Sequence, residues 1–178
     1  MDTEKVIELL RHYRHDWMNQ YQLIHGYASM NRLEDVKKKV QEGIEKSREE
    51  SKLVQLHAPH LALWLISFNW YEEVFRLTYH IEEETSVTTL SKADQELVES
   101  LKKIINQLHK YTLTDVLYHG QLHIINTQDV SLHLTIQGTF LECENLVQEL
   151  LKIKFVNEVQ TDNRESLKII LCLEDKKT

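Results

Sequence analysis

The sequence predicts an α+β protein in two parts. A long N-terminal helical hairpin pairs into a dimeric four-helix bundle, and a C-terminal α/β sandwich follows it. Three observations lead there. From Val6 to Val54 apolar residues recur at helical spacing, interrupted only by the short connection Met30-Asn31-Arg32. The only proline, Pro59, follows directly; it removes a helix donor and marks a break. Beyond it, helical stripes alternate with segments of period two. The expected domains are therefore residues 1–57 and 58–178.

Composition limits the function. A chain of 178 residues, 42% hydrophobic and 28% charged, has an ordinary globular balance and enough length for a core. Four glycines favour long regular elements over elaborate loops. The net charge of −7 falls entirely on residues 61–178, because residues 1–60 balance. An acidic chain without a basic stripe is a poor partner for nucleic acid. Cys143 and Cys172 are too few for a disulfide framework. No apolar run approaches the ~20 residues that span a bilayer. An acidic segment, not a signal peptide, follows Met1. The expectation is a soluble, cytoplasmic protein without membrane contact.

In order, Asp2 or Thr3 caps a first helix that runs to about Ser29. Val6, Leu10, Tyr13, Trp17, Ile24 and Ala28 form its core-facing stripe. A second helix returns from Leu33 to Leu56, with Leu33, Val36, Val40, Ile44 and Val54 apolar and Ser47 and Ser51 in the same register. The connection is short enough to force an antiparallel return. Two helices with one stripe each cannot close a core, so the hairpin predicts a homodimer. Small residues at Ala28, Gly43, Ser47 and Ser51 allow close approach. The run Lys37-Lys38-Lys39 is taken as a solvated face.

After Pro59, His60 to Leu77 is apolar on most sides, a buried helix, and Thr78 to Glu84 alternates as a strand. Ser91 with Asp94 starts a helix that ends near Tyr111. Gln121–Thr127 and Val130–Gly138 form a hairpin, and Phe140–Ile153 a short helix. Phe155–Gln160 and Ser166–Glu174 are strands joined by a turn at Asp162-Asn163.

The chemistry concentrates on the first helix, in Arg11-His12-Tyr13-Arg14-His15-Asp16-Trp17-Met18-Asn19. At about 100° per residue, His15 points away from the core stripe. Arg11 and Asn19 lie one turn to either side of it, and Gln22 follows on the same face. Met18 flanks the row and Arg14 edges the core stripe. A lone exposed histidine is usually a solvated surface residue. The combination of His15, Asp16 and Asn19 on a hairpin helix changes that. It matches the H-[DE]-x-x-[NT] pattern of the dimerisation and phosphotransfer helices of two-component histidine kinases. The longer string R-H-D-W-M-N, with Q-L-I and a glycine behind it, resembles the sporulation initiation phosphotransferase B family. It also resembles the R-H-D-F-x-N segment of citrate-sensor-type kinases.

The second domain separates these two. Its order of elements resembles the ATP-binding domain of histidine kinases, whose site needs phosphate-wrapping glycines, a magnesium-holding asparagine and an adenine-reading aspartate. Residues 61–178 contain only Gly120 and Gly138. Where such kinases have D-x-G-x-G, this chain has Ile136-Gln137-Gly138-Thr139-Phe140. Gln107 falls where the metal-binding asparagine belongs, and Asn106 beside it points about 100° away. The expected sandwich is thus a degenerate kinase domain with no nucleotide site.

The resemblance implies a phosphotransferase. His15 accepts a phosphoryl group from the aspartyl phosphate of one response regulator and passes it to the aspartate of a second, without ATP. Asp16 orients the ring or sets its tautomer, and Asn19 and Arg11 contact phosphoryl oxygens. Arg11, Arg14, Met18 and Gln22 belong to the docking surface. The chain is expected to need no cofactor of its own, with Mg2+ carried by the partner regulator. Alternatives are an ATP-dependent histidine kinase and a non-enzymatic dimeric module that binds a regulator. The pairs His12/His15, His57/His60 and His119/His123 have metal-like spacings, but no cysteine or carboxylate pattern completes a site. No metal site is expected.

Overall fold

The computed structural model describes residues 3–82, 87–126, 130–162 and 165–173. The elements run α1 (Thr3–Ser29), α2 (Leu33–Gln55), α3 (Pro59–Tyr71), β1 (Phe75–Ile81), α4 (Val87–His109), β2 (Tyr118–Asn126), β3 (Val130–Gln137), α5 (Cys143–Leu150), β4 (Val156–Asp162) and β5 (Ser166–Cys172). The α+β class is as expected. The chain divides into two compact units, Met1–Ser51 and Lys52–Thr178. The expected cap at Asp2, the strand ends at Glu84, Thr127 and Glu174, and Asn163 of the expected turn lie outside the described residues.

In the first unit α1 and α2 pack as an antiparallel hairpin. Asn31, at φ 55°, turns the chain between them. The Tyr13 hydroxyl donates to Glu50 Oε2 at 2.9 Å across the seam. Gly43 meets Gln20 there; a Cβ on Gly43 would sit 3.8 Å from Gln20 Oε1. The seam is narrower than the wheel suggests. Leu9, Gln20 and Tyr27 turn inward and are half-buried, whereas Leu10 and Ala28 of the expected stripe are exposed. On α2, Leu33, Val40 and Ile44 are likewise exposed. One partner helix covers one strip, so part of each apolar face is left outside, more of it on α2 than on α1. No residue of α1 is fully buried.

The second unit closes a full core. Its sheet has the order β1-β2-β3-β5-β4. β1 and β2 are parallel, and α4 is the crossover that such a pair requires. The other neighbours are antiparallel, including the expected β2–β3 hairpin. Leu132, Leu134 and Ile136 of β3 and Leu167, Ile169 and Leu171 of β5 alternate inward. They bury against Leu61 and Leu65 of α3, Leu97, Leu101 and Ile104 of α4, and Leu146 and Leu150 of α5. Leu53 and Leu56, just after the division between units, join this core.

Several boundaries differ from expectation; β2, for one, begins at Tyr118, ahead of the expected Gln121. The helix expected to reach Leu77 stops at Tyr71, and the strand begins at Phe75, not Thr78. Asn69 explains the switch. Its amide donates to Leu77 O and accepts from Leu77 N, both at 2.8 Å, so a side chain supplies the bonds that a neighbouring strand would make. Likewise, Asp94 does not start α4, which begins at Val87. It lies inside that helix, 5% exposed, and caps α3 instead. The N-cap residue of α3, Ala58, has no side chain able to accept. Asp94 takes the backbone N–H groups of His60 at 2.9 Å and Leu61 at 2.8 Å, and His60 Nδ1 at 2.9 Å. A carboxylate at a helix N-terminus satisfies orphan donors and favours the dipole. The short helix is also trimmed, to Cys143–Leu150.

Candidate functional site

His15 stands midway along α1, a helix of 27 residues, which fixes its Cα far from either frayed end. The surrounding aromatic ladder stiffens the position. Tyr13 and Trp17 meet edge-on at 6.3 Å between centroids, and Trp17 and Tyr21 at 5.7 Å. The His15 side chain is 70% exposed. Its Nδ1 lies 3.3 Å from Asn19 Nδ2 and 3.8 Å from Asp16 Oδ1. The first is hydrogen-bond distance and the second is beyond it. Among the described residues no hydrogen bond or ion pair is made to Nε2.

A nucleophilic imidazole nitrogen needs its lone pair, and the other nitrogen then carries the proton. With Nε2 reacting, Nδ1–H needs an acceptor. Asn19 supplies one when its amide presents oxygen in place of nitrogen, a half-turn about the terminal bond. The placed geometry thus puts the amide, and not the carboxylate, next to the ring.

Asp16 is half-buried and turned about a quarter-turn from His15. It lines a cleft between the helices with Trp17 and with Gly43, Lys46 and Glu50 of α2. Arg11, Arg14, Met18 and Gln22 are all exposed. Arg11 and Gln22 share the His15 side of the helix by spacing. Arg14 and Met18 lie toward exposed Leu10 and Tyr21.

Lys39 and Lys46 are neighbours of the site that sequence reasoning passed over. With Asp16, Asn19, Gln20 and Leu23 they line a depression of about 220 Å³. Lys39 pairs with Glu42 at 2.8 Å and Lys46 with Glu50 at 3.9 Å. The signal was available. A turn centred on Asn31 sets the hairpin register, and counting back from it brings Lys39 to Leu23 and Lys46 to Asp16.

In the second unit the segment Ile136–Phe140 is closed by aromatic side chains. Gly138 has φ 139°, and a Cβ there would stand 2.3 Å from the ring of Tyr118. Tyr118 is fully buried, stacks on Phe140 at 4.9 Å, and donates its hydroxyl to Thr139 O at 2.6 Å. Asn106 is exposed, beside a groove of about 410 Å³ shared with Trp64, Tyr71 and Lys102; Gln107 is half-buried. Among the described residues, no three potential metal ligands converge. Nor is any helix of them long and apolar enough to cross a membrane.

Family models match both parts of the chain. Residues 1–56 match the sensor kinase SpoOB-type, alpha-helical domain. Residues 57–170 match the sporulation initiation phospho-transferase B, C-terminal domain. The chain belongs to the sporulation initiation phosphotransferase B family. A relative from Bacillus subtilis (strain 168), sporulation initiation phosphotransferase B, is 38% identical over 104 residues, which are 58% of this chain and 53% of that protein. The match thus spans about half the length of this relative of the phosphotransferase B family. Among solved structures, the blue-light activated histidine kinase of Erythrobacter litoralis EL346 aligns over 96% of this chain and 61% of its own, at 10% identity and a TM-score of 0.37. A likeness that weak has no bearing on fold or function.

Proposed function

We propose that this chain is a phosphotransferase of a sporulation-type phosphorelay, with His15 as the residue that carries the phosphoryl group. One observation carries the reading: a largely exposed imidazole at the middle of a long helix, engaged only through Nδ1. Nε2 attacks the phosphorus of an aspartyl phosphate on one response regulator. The bond from phosphorus to the carboxylate oxygen breaks, and the regulator regains its carboxylate. The aspartate of a second regulator then attacks the phosphohistidine, the P–N bond breaks, and the neutral imidazole returns.

Phosphoryl transfer asks chiefly for in-line placement and charge neutralisation. The helix supplies the rigid nucleophile. Mg2+ is assigned to the regulator. Asn19 holds the tautomer, and Arg11 meets phosphoryl oxygens from the adjacent turn. Arg14, Met18 and Gln22 form part of the docking face, mixed polar and apolar as transient interfaces are. Asp16 acts through the ring and the cleft, not through the phosphoryl group.

The bundle is a homodimer, presenting two such faces. Leu10 is 63% exposed and lies with Tyr21, Val40 and Ile44 among the uncovered apolar residues of the hairpin. A second hairpin covers such a surface. The family and the packed aromatic pair at Tyr118 and Phe140 favour transfer over ATP-dependent phosphorylation. The test is incubation with a phosphorylated response regulator and Mg2+, without nucleotide. Acid-labile label on this chain is the expected result. Label that appears only after ATP is added makes the protein a kinase and ends this proposal.

A further inference from the structure

The sheet of the second unit buries one face and leaves the other open. On the open face the register sets three histidines side by side. His80 of β1 pairs with His123 of β2, and His123 pairs with His133 of β3. His80 is exposed, and the other two are half-buried. The rings of His80 and His123 lie 5.7 Å apart between centroids, inclined at 60°.

That separation is close to what shared ligation needs. Two imidazoles bound to one tetrahedral zinc at about 2.0–2.1 Å have ring centres about 5 Å apart. His133 is next in the row, with Nε2 3.4 Å from Ser131 Oγ. No three potential ligands converge among the described residues; for His133 to join the pair, its ring has to turn from Ser131 toward His123, its cross-strand neighbour. The spacing of His119 and His123 suggested a different pair. On a strand those two are four residues and about 13 Å apart, too far for one ion.

We propose that His80 and His123, with His133 as third ligand, bind a borderline divalent transition metal such as zinc, nickel or copper. Imidazole suits these ions. The ion ties β1, β2 and β3 together on the open face. It stands apart from the His15 chemistry, and its failure leaves that reading untouched.

The test is calorimetric titration of tag-free full-length protein with Zn2+, in buffer without chelators. Wild type is expected to bind saturably and stoichiometrically in the micromolar range and to melt higher with zinc. His123→Gln and His80→Gln each weaken binding at least about tenfold and abolish the thermal shift. His15→Ala leaves both intact. His80 is exposed, so its variant folds regardless of packing. Absence of saturable binding overturns the proposal, as does binding unchanged in His80→Gln or lost in His15→Ala.

Discussion

The two units of this chain solve the problem of burial differently. In the second, the sheet and three helices close on each other, and Leu97, Leu101, Ile104 and Leu132 reach zero exposure. In the first, α1 has no buried residue although it is the longest helix. Its aromatic ladder rests on one neighbour and faces outward on the other side. A self-sufficient core holds its shape without help. A half-covered hairpin has apolar surface left for association, and His15 belongs to that hairpin.

This contrast can be broken most forcefully at Trp17. Trp17→Ala is expected to destabilise the first unit by about 3–5 kcal/mol, the loss for an aromatic buried in a dimer. Denaturation at several protein concentrations measures it. A loss below about 1 kcal/mol, the value for a half-exposed ring, would show that no second hairpin covers the seam.

Gly138 probes the closed unit. Gly138→Ala forces a methyl into the Tyr118 ring at a positive φ, an expected loss of about 2–4 kcal/mol. Unchanged urea melting would contradict the packing of Ile136–Phe140. At Asp94, replacement by Ala leaves two backbone donors of α3 without their acceptor. It is expected to cost about 1–3 kcal/mol, whereas an equal change at exposed Asp162 is near neutral.

The smallest effect is a pH dependence at His133. Its pKa is lowered on folding, by burial first. The unfolded chain therefore binds the proton more readily, and stability is full above the ordinary histidine value near ~6.5 and falls as pH drops through the folded value. His133→Gln should flatten the melting temperature between neutral and mildly acid pH. A profile identical to wild type would assign the acid sensitivity elsewhere.

Much of this was legible in the sequence, for reasons that differ by element. The helices of the hairpin announced themselves by spacing and by Pro59, and the β2–β3 hairpin by alternation. What hid were contacts made by side chains across the fold. Asn69 ends α3 and starts β1 by bonding eight residues away, inside a stretch whose apolar density suggested continued helix. Asp94 looked like a cap and is one, but for a helix that precedes it by some thirty residues. His15 and its exposure were legible because they depend on one helix alone. The inward turn of Asp16 and the approach of Lys39 and Lys46 depend on hairpin register, and they show only when residues are counted outward from the turn at Asn31. The histidine row on the sheet stayed hidden: pairing between strands does not show in spacing along one.

The measurement that bears most directly on the central claim is a two-step chase. The protein is first exposed to a radiolabelled, phosphorylated response regulator with Mg2+ and no nucleotide, then to a second, unlabelled regulator, beside His15→Ala. The account predicts acid-labile label on the wild-type chain that moves to the second regulator. His15→Ala takes up none, and its melting temperature stays within the small range of a surface substitution. Label retained by His15→Ala, or no label on wild type while the regulator still binds, would contradict it and leave a docking module in place of a phosphotransferase.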